Sequence, residues 1–202
     1  MIIGPKYKIC KRLGNGVFEK CQTQKFTLSE ARRGKVERKG RRTVSEYGRQ
    51  LVEMQRVRFT YGLGERQLHR YVNDSLAGSS GDATAPLFNR LEMRLDNAIY
   101  RLGFATTRRM ARQFVAHRHV LVNGRRSSTP SQMLKVGDMI TLHHAAKGKA
   151  FFENMRERVA EATPPSWLVF NQETFEGSVA SLPVYEQETL INLPSLIEFY
   201  SR

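Results

Sequence analysis

The sequence has little cysteine and no long apolar run. Only Cys10 and Cys21 occur in 202 residues, too few for a disulfide-stabilised scaffold and typical of a reduced, cytosolic protein. No apolar stretch approaches the roughly 20 residues that a membrane-spanning helix needs. The N-terminus also lacks the apolar region of a signal peptide. We therefore expect a cytoplasmic protein with no membrane partner.

Acidic residues are also scarce. The chain has 33 Lys and Arg against 19 Asp and Glu, a formal net charge of +14. Residues 1–60 have a net charge of +11 and residues 91–150 of +8, whereas residues 151–202 have −5. Such a field favours a polyanion, most often nucleic acid, over an acidic membrane surface. We expect RNA or DNA to contact the first three-quarters of the chain and protein to contact the tail.

Motifs for cofactor or metal chemistry are missing. There is no Gly-rich phosphate loop that ends in Gly-Lys-Ser/Thr and no helical His-Glu-x-x-His pair. The adjacent His143 and His144 would point to opposite faces of a strand, which makes a poor metal pair. No cofactor is predicted.

The first 45 residues are basic and rich in glycine. Because the run from Arg32 to Arg42 has few apolar partners, we expect an irregular segment that orders on nucleic acid. Ser45 is typical of an N-cap for a helix over 46–62, and a second helix is predicted over 65–76.

A stripe of leucines predicts one helix from about residue 84 to Gly103, and Thr106 or Thr107 is suited to cap the next. Val120–Val122 and Met139–Leu142 are strand-like, and Asn123-Gly124 is typical of a tight turn with positive φ. A helix over 147–162 and strand-like pieces at 167–170 and 196–200 are predicted for the tail.

The stretch 94–142 has a polar face made largely of arginine, and it contains a characteristic series of short motifs. These are Arg94-Leu95-Asp96, Thr107-Arg108-Arg109, Ala111-Arg112-Gln113, His117, Val122-Asn123-Gly124 and Val136-Gly137-Asp138. The series resembles the RNA-binding domain named after small-subunit ribosomal protein four. Residues 47–67, the opening Gly4-Pro5-Lys6 and the closing 197–202 extend the resemblance to that ribosomal family over nearly the whole chain.

The resemblance implies an α+β fold with a discontinuous layout. A basic N-terminal extension (1–42) would precede a mainly helical rRNA-binding domain made of residues 43–90 and 163–202. A small α/β RNA-binding domain (91–162) would be inserted into it.

The resemblance also implies a function and partners. A member of this family is a primary binder of 16S rRNA that nucleates assembly of the body of the 30S subunit. It contacts ribosomal protein five and, with proteins five and twelve, influences translational accuracy. The contact with protein five would use the helices after Ser45 and the acidic block from Glu173 to Glu198.

The residues expected to bind rRNA form two faces of one bipartite binder. They are Arg49, Arg56, Arg58, Arg66, Arg70, Arg94, Arg108, Arg109, Arg112, His117, Asn123, Arg125 and Arg126. The basic residues Arg38, Lys39, Arg41 and Arg42 would lie near the path by which mRNA enters the subunit.

The chain departs from the family at a zinc site. Many bacterial members have four cysteines in the N-terminal extension, and the matching positions here are Tyr7, Cys10, Cys21 and Phe26. Tyrosine and phenylalanine cannot supply the thiolates of a tetrahedral zinc site. We interpret Cys10 and Cys21 as remnants of a lost site, packed as small apolar residues, and predict no metal.

Two other functions use the same domain. Pseudouridine synthases combine this module with a catalytic aspartate in a similar Arg-Leu-Asp string, and a free-standing regulator could use the module alone. The catalytic aspartate belongs to a separate, larger domain for which this chain has no room. We expect Asp96 to pair with an arginine such as Arg112, and we predict no enzymatic activity.

Overall fold

The computed structural model describes residues 3–34, 45–78, 81–143, 155, 159, 163–171, 174–186 and 191–201. The chain divides into two compact units. The first, the terminal unit, consists of Met1–Leu87 and Glu186–Arg202, and the second, the central unit, is Phe88–Tyr185. The central unit combines helices with an antiparallel sheet, so the predicted α+β class is confirmed. No helix in the described ranges is long and apolar enough to cross a membrane.

Residues 3–34 are folded, whereas we expected an irregular segment over the first 45 residues; residues 35–44 lie outside the described ranges. Helix α1 (Lys6–Leu13) leads through two short 3-10 turns (Asn15–Val17 and Glu19–Gln22) to helix α2 (Gln24–Gly34). Its few apolar residues converge in one buried cluster, against which part of the next helix packs. For residues 3–34 the prediction was wrong, because it rested on the low apolar content of the sequence, which does not show that distant apolar residues converge.

Of the four positions assigned above to the family's zinc ligands, Cys10, Cys21 and Phe26 are buried in this cluster, and the exposed Tyr7 contacts Phe26. Cys10 and Cys21 are fully buried, as predicted, but their sulfurs are bonded to each other. Their Cα atoms are 6.5 Å apart, within the range of disulfides. The rings of Tyr7 and Phe26 stack with centroids 5.7 Å apart. A disulfide and a ring stack therefore occupy the place of four thiolates, a proximity that the 11-residue spacing of the cysteines could not predict.

Reduction of the Cys10–Cys21 disulfide is expected to lower the free energy of unfolding by about 2–4 kcal/mol, because the crosslink restricts the unfolded chain. Thermal unfolding with and without a thiol reductant measures this difference. The Cys10→Ala, Cys21→Ala double variant is the control, and its Tm should not respond to the reductant. A zinc chelator should leave the wild-type Tm unchanged, so a fall caused by the chelator would contradict this account.

Two helices follow in the terminal unit. Helix α3 (Glu46–Tyr61) is capped by the predicted Ser45, whose hydroxyl accepts a hydrogen bond from the Gly48 N–H at 3.2 Å. It ends at Gly62 with φ 63°, the left-handed conformation that favours glycine. Helix α4 (Glu65–Ala77) comes next. Both helices lie where the sequence predicted them.

The central unit opens with a helix break that the sequence did not predict. The expected single helix is two, α5 (Thr84–Glu92) and α6 (Leu95–Arg101). Between them, Arg94 is extended and forms a β-bridge with Met133. Backbone hydrogen bonds to the 132–134 segment replace helical ones at this point, for example from the Leu134 N–H to the Met93 carbonyl at 2.9 Å. The leucine stripe continues across the break, so the pattern alone did not reveal it.

Helix α7 (Arg108–Ala116) packs against α6 and is followed by the sheet. The strands are β1 (Val120–Val122), β2 (Arg125–Ser127), β3 (Met139–Leu142), β4 (Leu168–Asn171) and β5 (Glu176–Val179). Their order is β2-β1-β3-β5-β4, with every pair antiparallel. The buried faces of α6, α7 and the sheet form one core, which also includes Met155 and Val159. The rest of the helix predicted over 147–162 lies outside the described residues.

The tail differs from the prediction at two points. The prediction assigns residues 163–202 to the helical domain, but β5 pairs with β3, so residues 168–179 belong to the central sheet. Residues 196–200, predicted as strand-like, lie in helix α8 (Leu193–Ser201). The Asn192 side chain accepts a hydrogen bond from the Ser195 N–H at 3.0 Å, and α8 packs against α3 and α4. This cap and the tertiary packing stabilise the helix, although residues 196–200 have a propensity for strand.

Candidate nucleic-acid interface

The arginine-rich helix α7 is fixed by its cap and its apolar face. The Thr107 hydroxyl accepts a hydrogen bond from the Met110 N–H at 3.1 Å, as predicted for a capping threonine. Ala111, Phe114 and Val115 are buried against the core. The opposite face is therefore directed to solvent, and Arg109 is exposed on it. Within the described part of the chain Arg109 has no ion pair, so its guanidinium is available to a phosphate.

Asp96 is buried between two arginines. Its Oδ2 accepts hydrogen bonds from Arg94 Nη2 at 2.7 Å and from Arg112 Nη2 at 2.8 Å. The predicted pairing of Asp96 with Arg112 is confirmed. The carboxylate is almost completely buried and holds two cations, which is the position of a structural residue and not of a catalytic one.

Arg94 and Arg112 differ in what they can reach. The Arg94 side chain is 2% exposed, and both its Nε and its Nη2 donate to Asp96. The expectation that Arg94 binds rRNA does not fit this position, and we leave it out of the interface. The Arg112 side chain is 33% exposed, so it pairs with Asp96 while part of it faces solvent.

A second buried carboxylate, Glu92, was not singled out from the sequence. Its side chain is 1% exposed and accepts two hydrogen bonds from Arg101, each at 2.9 Å. It also accepts a hydrogen bond from Asn97 Nδ2 at 2.9 Å. The Asn97 oxygen accepts in turn from Arg108 Nε at 2.8 Å, and the Arg108 guanidinium carbon lies 4.4 Å from the centroid of the Tyr100 ring. This connection depends on the α5–α6 break, which explains why a helical pattern did not reveal it.

The turn between β1 and β2 has the predicted form. Asn123 and Gly124 have φ of 49° and 76°, as a two-residue hairpin turn with both central residues at positive φ requires. The Asn123 side chain donates to Asp138 Oδ1 at 2.8 Å and accepts from the Met139 N–H at 2.8 Å. These bonds fix the hairpin to β3, so we assign Asn123 a structural role.

The same hairpin displays two of the predicted arginines. Arg125 and Arg126 are exposed at the start of β2, and Arg126 hydrogen-bonds the His143 ring. With Lys135 they line an open polar depression beside the turn. Three cations and an open shape suit a phosphate backbone better than an enclosed small molecule.

His117 lies at the C-terminal end of α7. It is exposed, and its Nε2 is 3.5 Å from Gln113 Nε2. The next residue, Arg118, is exposed with φ 59° and was not selected from the sequence. Its positive φ follows from the end of the helix, where its N–H donates to the Val115 carbonyl at 2.8 Å.

The predicted arginines of the terminal unit fall into two groups, one exposed and one held in hydrogen bonds and ion pairs within the unit. Arg49, Arg66 and Arg70 are exposed, and Arg49 pairs with Glu46 at 3.1 Å. Arg56 instead donates from Nε to the Leu13 carbonyl at 2.8 Å and from Nη1 to Glu53 at 2.6 Å. The bond to Leu13 attaches α1 to α3, so we assign Arg56 a structural role.

Arg58 belongs to the second group. It pairs with Glu65 at 3.2 Å and has a side chain that is 21% exposed. Burial raises the pKa of the neighbouring Tyr200 hydroxyl, and the charge of Glu65 adds to this effect while Arg58 opposes it. Arg58 thus lies beside Glu65 and Tyr200 on its own unit.

The basic residues predicted to lie near the mRNA path, Arg38, Lys39, Arg41 and Arg42, lie outside the described residues.

No group of three or more histidine, cysteine or acidic side chains in the described ranges is placed to hold a metal ion. The chemistry that the described side chains offer is the binding of anions by guanidinium groups. Planar, bidentate guanidinium groups suit RNA phosphates and can also stack on bases.

Comparison with known proteins accounts for both units. Residues 1–92 match the ribosomal protein S4/S9 N-terminal domain, and residues 93–140 match the S4 domain. The small ribosomal subunit protein uS4 of Roseiflexus castenholzii is 42% identical over 205 residues, covering 99% of this chain and 98% of that protein. The uS4 protein of Aquifex aeolicus is 42% identical over 210 residues with the same coverage. That of Syntrophomonas wolfei is 39% identical over 201 residues. The chain belongs to the uS4 family of small ribosomal subunit proteins.

Proposed function

We propose that this chain is a structural, non-catalytic constituent of the small ribosomal subunit that binds 16S rRNA. The observation that carries the proposal is the set of arginines on the central unit, in which Arg109 and Arg125 are exposed and Arg108 and Arg112 are held by buried acceptors. RNA helices hide their base edges in a deep groove, so a protein recognises their shape and phosphate positions. Fixed guanidinium groups on a rigid scaffold suit that task.

The proposed rRNA-binding set is narrower than the one predicted from the sequence. It consists of Arg49, Arg66, Arg70, Arg108, Arg109, Arg112, His117, Arg125 and Arg126. Arg56, Arg58 and Arg94 are omitted because each is paired within its own unit and its side chain is at most 28% exposed. Asn123 is omitted because its side-chain amide is bonded at both its nitrogen and its oxygen, to Asp138 and to the Met139 N–H. The set keeps residues on both units, in line with a bipartite binder.

The finer roles are also proposals. Membership of the uS4 family supports an early role in assembly, in which 16S rRNA binding nucleates the body of the 30S subunit. We further propose contacts with ribosomal protein five and a joint effect with proteins five and twelve on translational accuracy. The net charge of −5 in residues 151–202 favours a protein partner over RNA for the tail. The basic run 38–42 is proposed to lie near the path of incoming mRNA.

Chemical footprinting of 16S rRNA with the full-length protein tests the proposal. We expect protection confined to one helical junction of the 5′ domain, because a shape-reading protein needs one particular arrangement of phosphates. A transfer RNA serves as the control for charge-driven binding. Scattered protection, or equal protection of tRNA, would instead support a free-standing RNA-binding regulator.

A further inference from the structure

Glu92 joins two arginines that protrude from different helices. Arg101 is the last residue of α6 and Arg108 is the first of α7. Glu92 holds Arg101 directly through two hydrogen bonds and reaches Arg108 through Asn97. One buried carboxylate therefore sets the orientation of both guanidinium groups.

Both arginines remain partly exposed. The Arg101 side chain is 36% exposed although it is paired to Glu92. The pair to Glu92 uses the edge of the Arg101 guanidinium that is formed by Nε and Nη2. Arg108 is fixed on a second side by the Tyr100 ring. Both groups are thus oriented before any ligand arrives, which reduces the ordering entropy that binding costs.

We infer that Arg101 is an RNA-binding residue and that Glu92 is a positioning residue that presents Arg101 and Arg108 together to the phosphates of the RNA. The inference rests on the proposed rRNA-binding function. Neither Glu92 nor Arg101 was among the residues selected from the sequence, because the link between them is made across the α5–α6 break. Glu92 itself is buried and would not touch the RNA.

The direction in which Glu92→Gln changes the affinity for RNA distinguishes a positioning role from an effect of net charge alone. Replacing Glu92 with glutamine removes a negative charge and raises the net charge of the protein. If only net charge mattered, the variant would bind RNA more tightly. If Glu92 positions the arginines, the variant binds RNA more weakly. The neutral glutamine amide has one oxygen acceptor in place of two, so it cannot accept all three hydrogen bonds that Arg101 and Asn97 donate to the Glu92 carboxylate. It also lacks the negative charge that strengthens these bonds.

The experiment measures the affinity of the full-length protein for a 16S rRNA 5′-domain transcript between 50 and 200 mM salt. We expect Glu92→Gln to bind about 10-fold more weakly and the salt slope to fall by about 1, as the loss of a phosphate contact predicts. Glu186→Gln is the matched control, since it removes the same charge at an exposed position. It should bind at least as tightly as the wild type.

The Glu92→Gln, Arg101→Gln double variant keeps the test decisive if Glu92→Gln alone folds poorly. Arg101→Gln alone would remove the arginine cation from the buried Glu92 carboxylate and destabilise the fold, whereas the double variant removes both charges together. The double variant should bind about 10-fold more weakly than the wild type, and its loss should be close to that of Glu92→Gln because the two residues act together. Wild-type affinity in the double variant, or tighter binding in a folded Glu92→Gln variant, would overturn the inference. If the wild-type protein itself did not bind the transcript, the proposed function would fail instead.

Discussion

Replacing Asp96 with asparagine is expected to destabilise the central unit by about 3–5 kcal/mol, the cost of removing one partner from a buried ion pair. Arg94 would keep its positive charge at a position where only 2% of its side chain is exposed. No water could replace the lost carboxylate without opening the core. Denaturant unfolding monitored by circular dichroism measures the loss.

Arg112→Gln is the matched comparison for this prediction. It removes the partly exposed partner of Asp96 and leaves Asp96 paired with Arg94. The expected cost is only about 1 kcal/mol, because the buried charges still neutralise each other. Equal losses in the two variants would show that Arg94 does not depend on Asp96. They would contradict the structural role assigned to this aspartate.

Arg109→Glu is expected to weaken binding to the 16S rRNA 5′ domain on the order of 10- to 100-fold while the free energy of unfolding stays within about 0.5 kcal/mol of the wild type. Arg109 is exposed in the first turn of α7, and no described residue forms an ion pair with it. Charge reversal there removes one phosphate contact and adds repulsion without disturbing packing.

The control for this reversal is Lys25→Glu, an exposed position on α2 with the same change in net charge. This variant should lose much less affinity for the 16S rRNA 5′ domain, because it changes only the long-range electrostatic field of the protein. Arg112→Glu, which the sequence made look equivalent to Arg109→Glu, is a poor variant. It would place a second carboxylate beside Asp96 and would disturb the fold as well as the RNA.

Local signals in the sequence predicted the helices and turns that depend on neighbouring residues. Ser45 and Thr107 cap their helices as expected, and Asn123 with Gly124 forms the expected turn. In each case the determining interaction lies within a few residues along the chain. Such features need no knowledge of the tertiary structure.

The features that the sequence did not predict depend on distant partners. Arg94 leaves the helix because it bridges to Met133, and residues 196–200 are helical because α8 packs on α3 and α4. Cys10 and Cys21 bond because the α1 helix and the following turns bring them together. The periodicity of apolar residues contains no information on these contacts.

The same difference between local and long-range interactions applies to the candidate site. The arginines were predicted as a class, because a basic face on an apolar helix is visible in the sequence. Which of them are exposed was not visible, since that depends on the acceptors Asp96, Glu92 and Asn97 inside the core. Arg94, which was selected as an rRNA-binding residue, is buried, and Arg101, which we propose as an RNA-binding residue, was not selected.

The affinity of the wild-type protein for the 16S rRNA 5′ domain, titrated across salt beside the Arg109→Glu variant, tests the central claim most directly. If six to ten phosphates are neutralised, the wild-type affinity should fall about 10³–10⁵-fold between 50 and 200 mM salt. The Arg109→Glu slope should be shallower by about 1. A nearly flat salt dependence of the wild type would contradict the claim that this arginine surface binds rRNA.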